Sequence, residues 1–135
     1  MRKTIRGTFD VKLTPQEAGN EIEKEAAVGR MTIDKRFTGD LEATSKGQML
    51  AVRTAVTGSA GYVALERVTG SLSGRTGTFY FQHDGKMNRG EASLDLTVVP
   101  DSGTEGLTGL QGSMTIEITG GKHFYTFDYE LPDAG

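Results

Sequence analysis

Apolar residues stand at every second position through most of this chain. Ile5, Phe9, Val11 and Leu13 alternate with Arg6, Thr8, Asp10 and Lys12. The same period recurs in Met31/Ile33/Phe37, Ala92/Leu94/Leu96/Val98, Met114/Ile116/Ile118 and Tyr125/Phe127/Tyr129. Successive side chains of an extended strand point to opposite faces, so the pattern predicts strands with one face buried and one wet. Threonine is abundant in the same runs, as suits a half-buried pleated surface. Glycines sit between the runs, where turns need positive φ, and only three prolines interrupt 135 residues.

Turns can be tested against the alternation, because a slip of one residue sends every apolar side chain to the wrong face. A Gly120-Gly121 hairpin turn pairs Ile118 with His123, Ile116 with Tyr125 and Met114 with Phe127. A Ser73-Gly74 turn pairs Val68 with Phe79, Glu66 with Phe81 and Ala64 with His83. A Lys46-Gly47 turn pairs Leu50 with Ala43 and Val52 with Leu41, and a loop at Thr38-Gly39-Asp40 pairs Phe37 with Leu41. For a turn at Asn88-Arg89-Gly90 the faces agree only with one extra residue, placed as a bulge at Asp84-Gly85. Phe79 then faces Val98 and Phe81 faces Leu96. A tighter Asn88-Arg89 turn needs no bulge. Thr14-Pro15-Gln16-Glu17 reads differently, with Thr as N-cap, Pro at the first helical position and Glu at the third. It predicts a single helical turn, followed by an exposed acidic loop through Val28. The glycine-rich span from Pro100 to Gly112 is the other long connection.

These runs amount to eight or nine strands in hairpin succession. Such a series closes well into a barrel, which removes the edge strands. The expectation is one all-β domain over residues 1–135, a single antiparallel eight- to nine-stranded β-barrel, with a two-sheet sandwich as the alternative.

Composition narrows the chemistry. Without cysteine there is no disulfide scaffold, thiolate metal site, Fe–S cluster or cysteine nucleophile, and two histidines leave little for zinc. A net charge of −3 argues against a nucleic-acid partner. No apolar run approaches the ~20 residues of a spanning helix, and charges at Arg6, Asp10 and Lys12 break up any export signal. A cytoplasmic protein with no membrane partner is the default expectation. The glycines form neither a phosphate loop nor a dinucleotide fingerprint, so no cofactor is implied. His83-Asp84 has the look of a metal-ligand fragment, but adjacent strand residues face opposite ways, so no metal site is expected.

The alternation assigns a mainly apolar interior with a few polar members: Lys35, Tyr62, Glu66, His83, His123 and Tyr125. The Ser73-Gly74 register makes Glu66 and His83 diagonal neighbours on one face. An acid, an imidazole and phenols facing one cavity are the ingredients of acid–base work, and burial beside aromatic rings should raise the Glu66 pKa. If the barrel has chemistry, Glu66 and His83 carry it, with Tyr62, Tyr125, Phe81 and Lys35 available to line a ligand site. The competing reading is a satisfied interior pair that fixes the register. Lys35 is expected to reach out of a barrel mouth, and His123, next to a turn, to sit on the rim.

Several blocks carry a resemblance. Gly39-Asp40-Leu41-Glu42-Ala43-Thr44-Ser45-Lys46-Gly47, the run from Gly58 to Gly70, Gln82-His83-Asp84-Gly85-Lys86-Met87-Asn88-Arg89-Gly90, Val98-Val99-Pro100-Asp101-Ser102-Gly103-Thr104 and Gly121-Lys122-His123-Phe124-Tyr125 resemble a bacterial family known as domain of unknown function 3224. The likeness runs from about Gly7 to Leu131 and implies a fold like the allene oxide cyclase barrel. It brings no established reaction, and fold alone does not carry function. Three roles stay open. The barrel could bind a small apolar molecule in its lumen, act on one as a cyclase- or isomerase-like enzyme, or be filled and serve as a structural or interaction module. A lumen above ~300 Å³ favours the first two, and packing by Phe9, Phe37, Phe79, Phe81 and Phe127 the third. Self-association of such barrels, with Val63, Leu65, Tyr80 and Phe124 on the outer face, points to a homo-oligomer, most simply a homodimer.

Overall fold

The computed structural model describes residues 2–133. Eight antiparallel strands follow one another and close into a barrel. They are β1 (Arg2–Gln16), β2 (Gly29–Gly39), β3 (Leu41–Arg53), β4 (Ala60–Leu72), β5 (Arg75–Asn88), β6 (Glu91–Val98), β7 (Gln111–Thr119) and β8 (Lys122–Glu130). β8 returns to β1, with Ile5 opposite Phe127 and Phe9 opposite His123. The described helical residues are α1 (Glu21–Ala26), between β1 and β2, and a 3-10 turn at Glu105–Leu107, between β6 and β7. No helix among the described residues is long and apolar enough to cross a membrane.

Two hairpins have the expected registers. Ser73 and Gly74 take φ of 48° and 85°, and Gly120 and Gly121 take 60° and 78°. Positive φ at both central residues gives the turn whose twist matches that of the flanking strands. Glu66 accordingly faces Phe81, Ala64 faces His83, and Ile116 faces Tyr125.

Four local expectations are corrected. β3 runs straight through Lys46-Gly47 without turning, and Gly47 lies between Ile33 and Glu66. Its glycine serves close approach, since a Cβ there would stand 2.2 Å from the Leu65 carbonyl oxygen. The turn after β2 is shifted, so Phe37 faces Ala43 rather than Leu41; the shift is even, and the faces are preserved. The β5–β6 turn is Arg89-Gly90, with φ of 50° and 93°, and it sets Phe81 against Val98 and His83 against Leu96 with no bulge. Gly85 is needed because a Cβ would lie 2.2 Å from the Tyr62 ring. Finally, Thr14–Gln16 continue β1, and the helix starts later. Asn20 caps it by accepting from the Glu23 amide at 2.9 Å. Pro15 is tolerated in β1 because β8 pairs with that strand only as far as Phe9.

The lumen is filled from one end. Phe37, Phe79, Phe81 and Phe127 pack as a cluster of tilted, edge-to-face and stacked pairs, with centroids 4.9–6.3 Å apart. Leu107 and Leu110 from the β6–β7 connection, with Leu131 after β8, complete the same core. This end also holds the β2–β3 and β4–β5 turns. At the other end inward-facing residues become progressively wet. β6 and β7 meet through one ladder pair, Thr97 with Ser113.

Candidate functional site

Four neighbouring strands each send one polar side chain into the lumen above the phenylalanine cluster: Lys35 from β2, Ser45 from β3, Glu66 from β4 and His83 from β5. All four are buried, and Glu66 is 0% exposed. Glu66 Oε2 accepts from Lys35 Nζ at 2.9 Å and from His83 Nε2 at 2.7 Å, and its Oε1 accepts from Ser45 Oγ at 3.0 Å. The Lys35 ammonium also sits 4.8 Å from the Phe9 ring centroid and 5.6 Å from that of Phe37. Small partners make the room: Gly47 lies opposite Glu66, and Ala64 lies opposite His83. Among the described residues no buried side-chain polar atom lacks a hydrogen-bond partner.

Electrostatics here overturn one expectation. Burial does push the Glu66 pKa up, and it is the largest single influence. The His83 hydrogen bond and the Lys35 and His83 charges together outweigh it, so the carboxyl ends below its ordinary range and is ionised. Lys35 is likewise corrected. It does not reach out of the mouth; it is buried as the counter-charge of Glu66.

The chain of contacts continues outward. The Tyr62 hydroxyl is 3.3 Å from His83 Nδ1, and the ring is half-buried. Burial, and then the negative charge of Glu66, raise the Tyr62 pKa, so the phenol keeps its proton. His83 Nε2 must carry a hydrogen to donate to the carboxylate, which leaves Nδ1 as the acceptor for Tyr62 in the neutral ring. The sequence Tyr62–His83–Glu66 is thus a continuous hydrogen-bonded path from the mouth to a buried anion.

The remaining candidates fall elsewhere. Phe81 is a core residue in the aromatic cluster below Glu66. Tyr125 is buried at the filled end, where its hydroxyl donates to the Thr38 carbonyl at 2.9 Å and accepts from the Leu41 amide at 3.3 Å. Its pKa is raised by burial, against the Leu41 bond and with the Asp40 charge. His123 is partly buried near the rim, its ring tilted against that of Phe9 with centroids 4.9 Å apart. His83 points inward while Asp84 is exposed, so the two cannot share an ion, and no group of three or more acidic or imidazole side chains among the described residues could hold a metal. Sequence reasoning missed Ser45, and placed Phe9 in the interior only as packing, not beside the Lys35 ammonium. Extending the alternation Leu41, Ala43, Ser45, Gly47, Met49 across the glycine would have found Ser45.

Two concavities of about 870 and 210 Å³ lie on the outer wall rather than in the lumen. The larger runs over β3, β4 and β5, past Leu50, Val63, Leu65 and Tyr80. Phe124 is not part of it, since β8 lies across the barrel.

A closed eight-stranded barrel, filled at one end and carrying a buried Lys–Glu–His–Tyr chain toward the other, is the class of protein these features define. Residues 5–129 match the family described as "Protein of unknown function (DUF3224)", and the chain belongs to that family. It is similar to the crystal structure of a DUF3224-family protein of unknown function from Shewanella oneidensis MR-1. The identity is 49% and the TM-score 0.91, over 99% of this chain and 100% of that one. No curated protein matches the chain.

Proposed function

We propose that the barrel holds a small, mostly apolar molecule in a shallow cup at its open end, with the Tyr62 hydroxyl as the polar contact at the floor. The supporting observation is the contrast between the two ends. Leu13, Met87 and Ile118 continue the inward-facing series of their strands yet are 44%, 43% and 66% exposed, whereas Leu72 and Leu107 at the other end are 0% and 1% exposed. Apolar walls around one hydrogen-bonding group are the usual make-up of a small-molecule site. Val11, Leu94 and Ile116, partly buried against the core, would form the lower wall.

The test uses the neutral fluorophore N-phenylnaphthylamine. Its emission should rise with the wild-type protein and fall back in Ile116→Trp, which fills the cup, while Leu65→Glu on the outer wall leaves it unchanged. Equal emission with Ile116→Trp would overturn the reading.

A second reading, acid–base action on the bound molecule, is favoured by the position of His83 between Tyr62 and Glu66. Tyr62 would exchange the proton with the ligand and His83 would relay it, within the reach such transfers need. Glu66, fully enclosed, would be a positioning residue that fixes the imidazole. Turnover of any ligand found in the cup should be lost in Tyr62→Phe and in His83→Gln, and its retention in both would exclude this reading.

A further inference from the structure

The outer wall over β3, β4 and β5 carries an arrangement that the lumen does not explain. Strand pairing lays its outward side chains in three rows. Lys46, Arg67 and Tyr80 form the first; Gln48, Leu65 and Gln82 the second; Leu50, Val63 and Asp84 the third. The apolar members are unusually bare, with Leu50 at 44%, Val63 at 50%, Leu65 at 53% and Tyr80 at 42% exposed, and they line the 870 Å³ groove. A contiguous apolar patch of this kind marks an interaction site more often than an idle surface.

Charge says what fits there. Lys46 is already engaged by Asp34 at 3.4 Å, and Arg30 at the groove's edge by Glu23 at 4.0 Å. Among the described residues, Arg67 and Asp84 have no ion-pair partner. They stand at opposite ends of the patch, one in the first row and one in the third. A two-fold axis lying in the contact plane along the middle row turns the first row of one copy onto the third row of the other. Leu65 then meets Leu65 of the second copy at the axis. Tyr80 then lies over Asp84 and Arg67 over Val63, the register partner of Asp84, so the long Arg67 side chain reaches the carboxylate one strand across, and the exchange is made twice by symmetry. An anionic ligand would leave Asp84 unmatched, whereas a second copy satisfies both charges.

We infer that this face is an isologous dimer interface, built around Leu65 and closed by reciprocal Arg67–Asp84 pairs. The interface is a property of the wall and is independent of what the lumen binds. Isologous contacts require a self-complementary patch, and this one has apolar residues at its centre and opposite charges at its two ends.

Sedimentation equilibrium at micromolar concentration provides the test. The wild-type mass should be twice 14.5 kDa, and Leu65→Glu should reduce it to 14.5 kDa with unchanged circular dichroism. Arg67→Asp places two acids at each contact and Asp84→Arg places two cations, so each variant alone should be monomeric. Mixed in equal amounts they should restore the doubled mass, because every contact then joins opposite charges. A monomeric wild type, a dimer indifferent to Leu65→Glu, or a mixture that stays monomeric would each overturn the inference.

Discussion

Gly47 is the register partner of Glu66, and the space where its side chain would stand is taken by the backbone and Cβ of the glutamate's own strand. A Cβ at Gly47 would come within 2.6 Å of the Glu66 Cα and 2.2 Å of the Leu65 oxygen. Both obstacles are main chain and cannot rotate away. Gly47→Ala should therefore push β3 from β4 beneath the Ser45–Glu66 bond and cost roughly 3 kcal/mol, the upper end for overpacking. Urea unfolding measures it; a loss under ~0.5 kcal/mol would show that the two strands give way freely.

Glu66→Gln matches the carboxylate in shape, yet it should not be silent. It leaves the Lys35 ammonium buried without a counter-charge, and stranding one member of a buried pair costs about 3–5 kcal/mol. Adding Lys35→Met removes the stranded charge and should recover a good part of that loss. A double variant no more stable than Glu66→Gln alone, by the same unfolding assay, would mean that the pair is uncoupled.

The depressed Glu66 pKa also sets an acid limit on stability. The unfolded chain takes up this proton near the ordinary value of 4.5, while the folded protein resists it to lower pH. The contribution is therefore fully present above that value and is lost as pH falls through the folded pKa. Wild-type stability should decline below the ordinary carboxylate range more steeply than that of the Lys35→Met/Glu66→Gln double variant. Parallel acid titrations followed by circular dichroism compare the two.

Much of this was legible in the chain, and the places where reading failed have physical causes. The Ser73-Gly74 and Gly120-Gly121 registers followed from face agreement, because an odd shift of register is forbidden by burial. An even shift is not. That is why Phe37 was matched to Leu41 instead of Ala43, and why the Arg89-Gly90 turn was missed. Gly47 misled because glycine serves both turns and close approach, and only the neighbouring strand distinguishes them. Glu66 and His83 were found, since parity alone places them. The sign of the Glu66 shift was missed, because burial is outweighed only by the His83 hydrogen bond acting together with the Lys35 and His83 charges, and the strand position of Lys35 left its reach undetermined.

The path from Tyr62 to Glu66 makes a spectroscopic claim. Nitrogen NMR of His83 should show Nε2 bearing the hydrogen toward Glu66 and, in the neutral ring, Nδ1 accepting from Tyr62. Tyr62→Phe should move the Nδ1 signal alone and change stability by about 1 kcal/mol, the size of one hydrogen bond. A ring with Nδ1 protonated and Nε2 bare would refute the assignment.

The single ladder pair between β6 and β7 has a kinetic consequence. A barrel protects its amides only where each strand is laced to both neighbours, and along Glu91–Leu96 the lacing on the β7 side is missing among the described residues. Opening there does not require the phenylalanine cluster to come apart, so these amides should exchange through local breathing, while those joining β3 to β4 wait for global unfolding. The weakly laced seam of the wall thus runs from Thr97 toward the rim, past Leu94 and Ile116. Were the cup to hold a guest as proposed, this seam would be a sideways entrance for it, and its breathing rate would limit how fast the cup fills and empties.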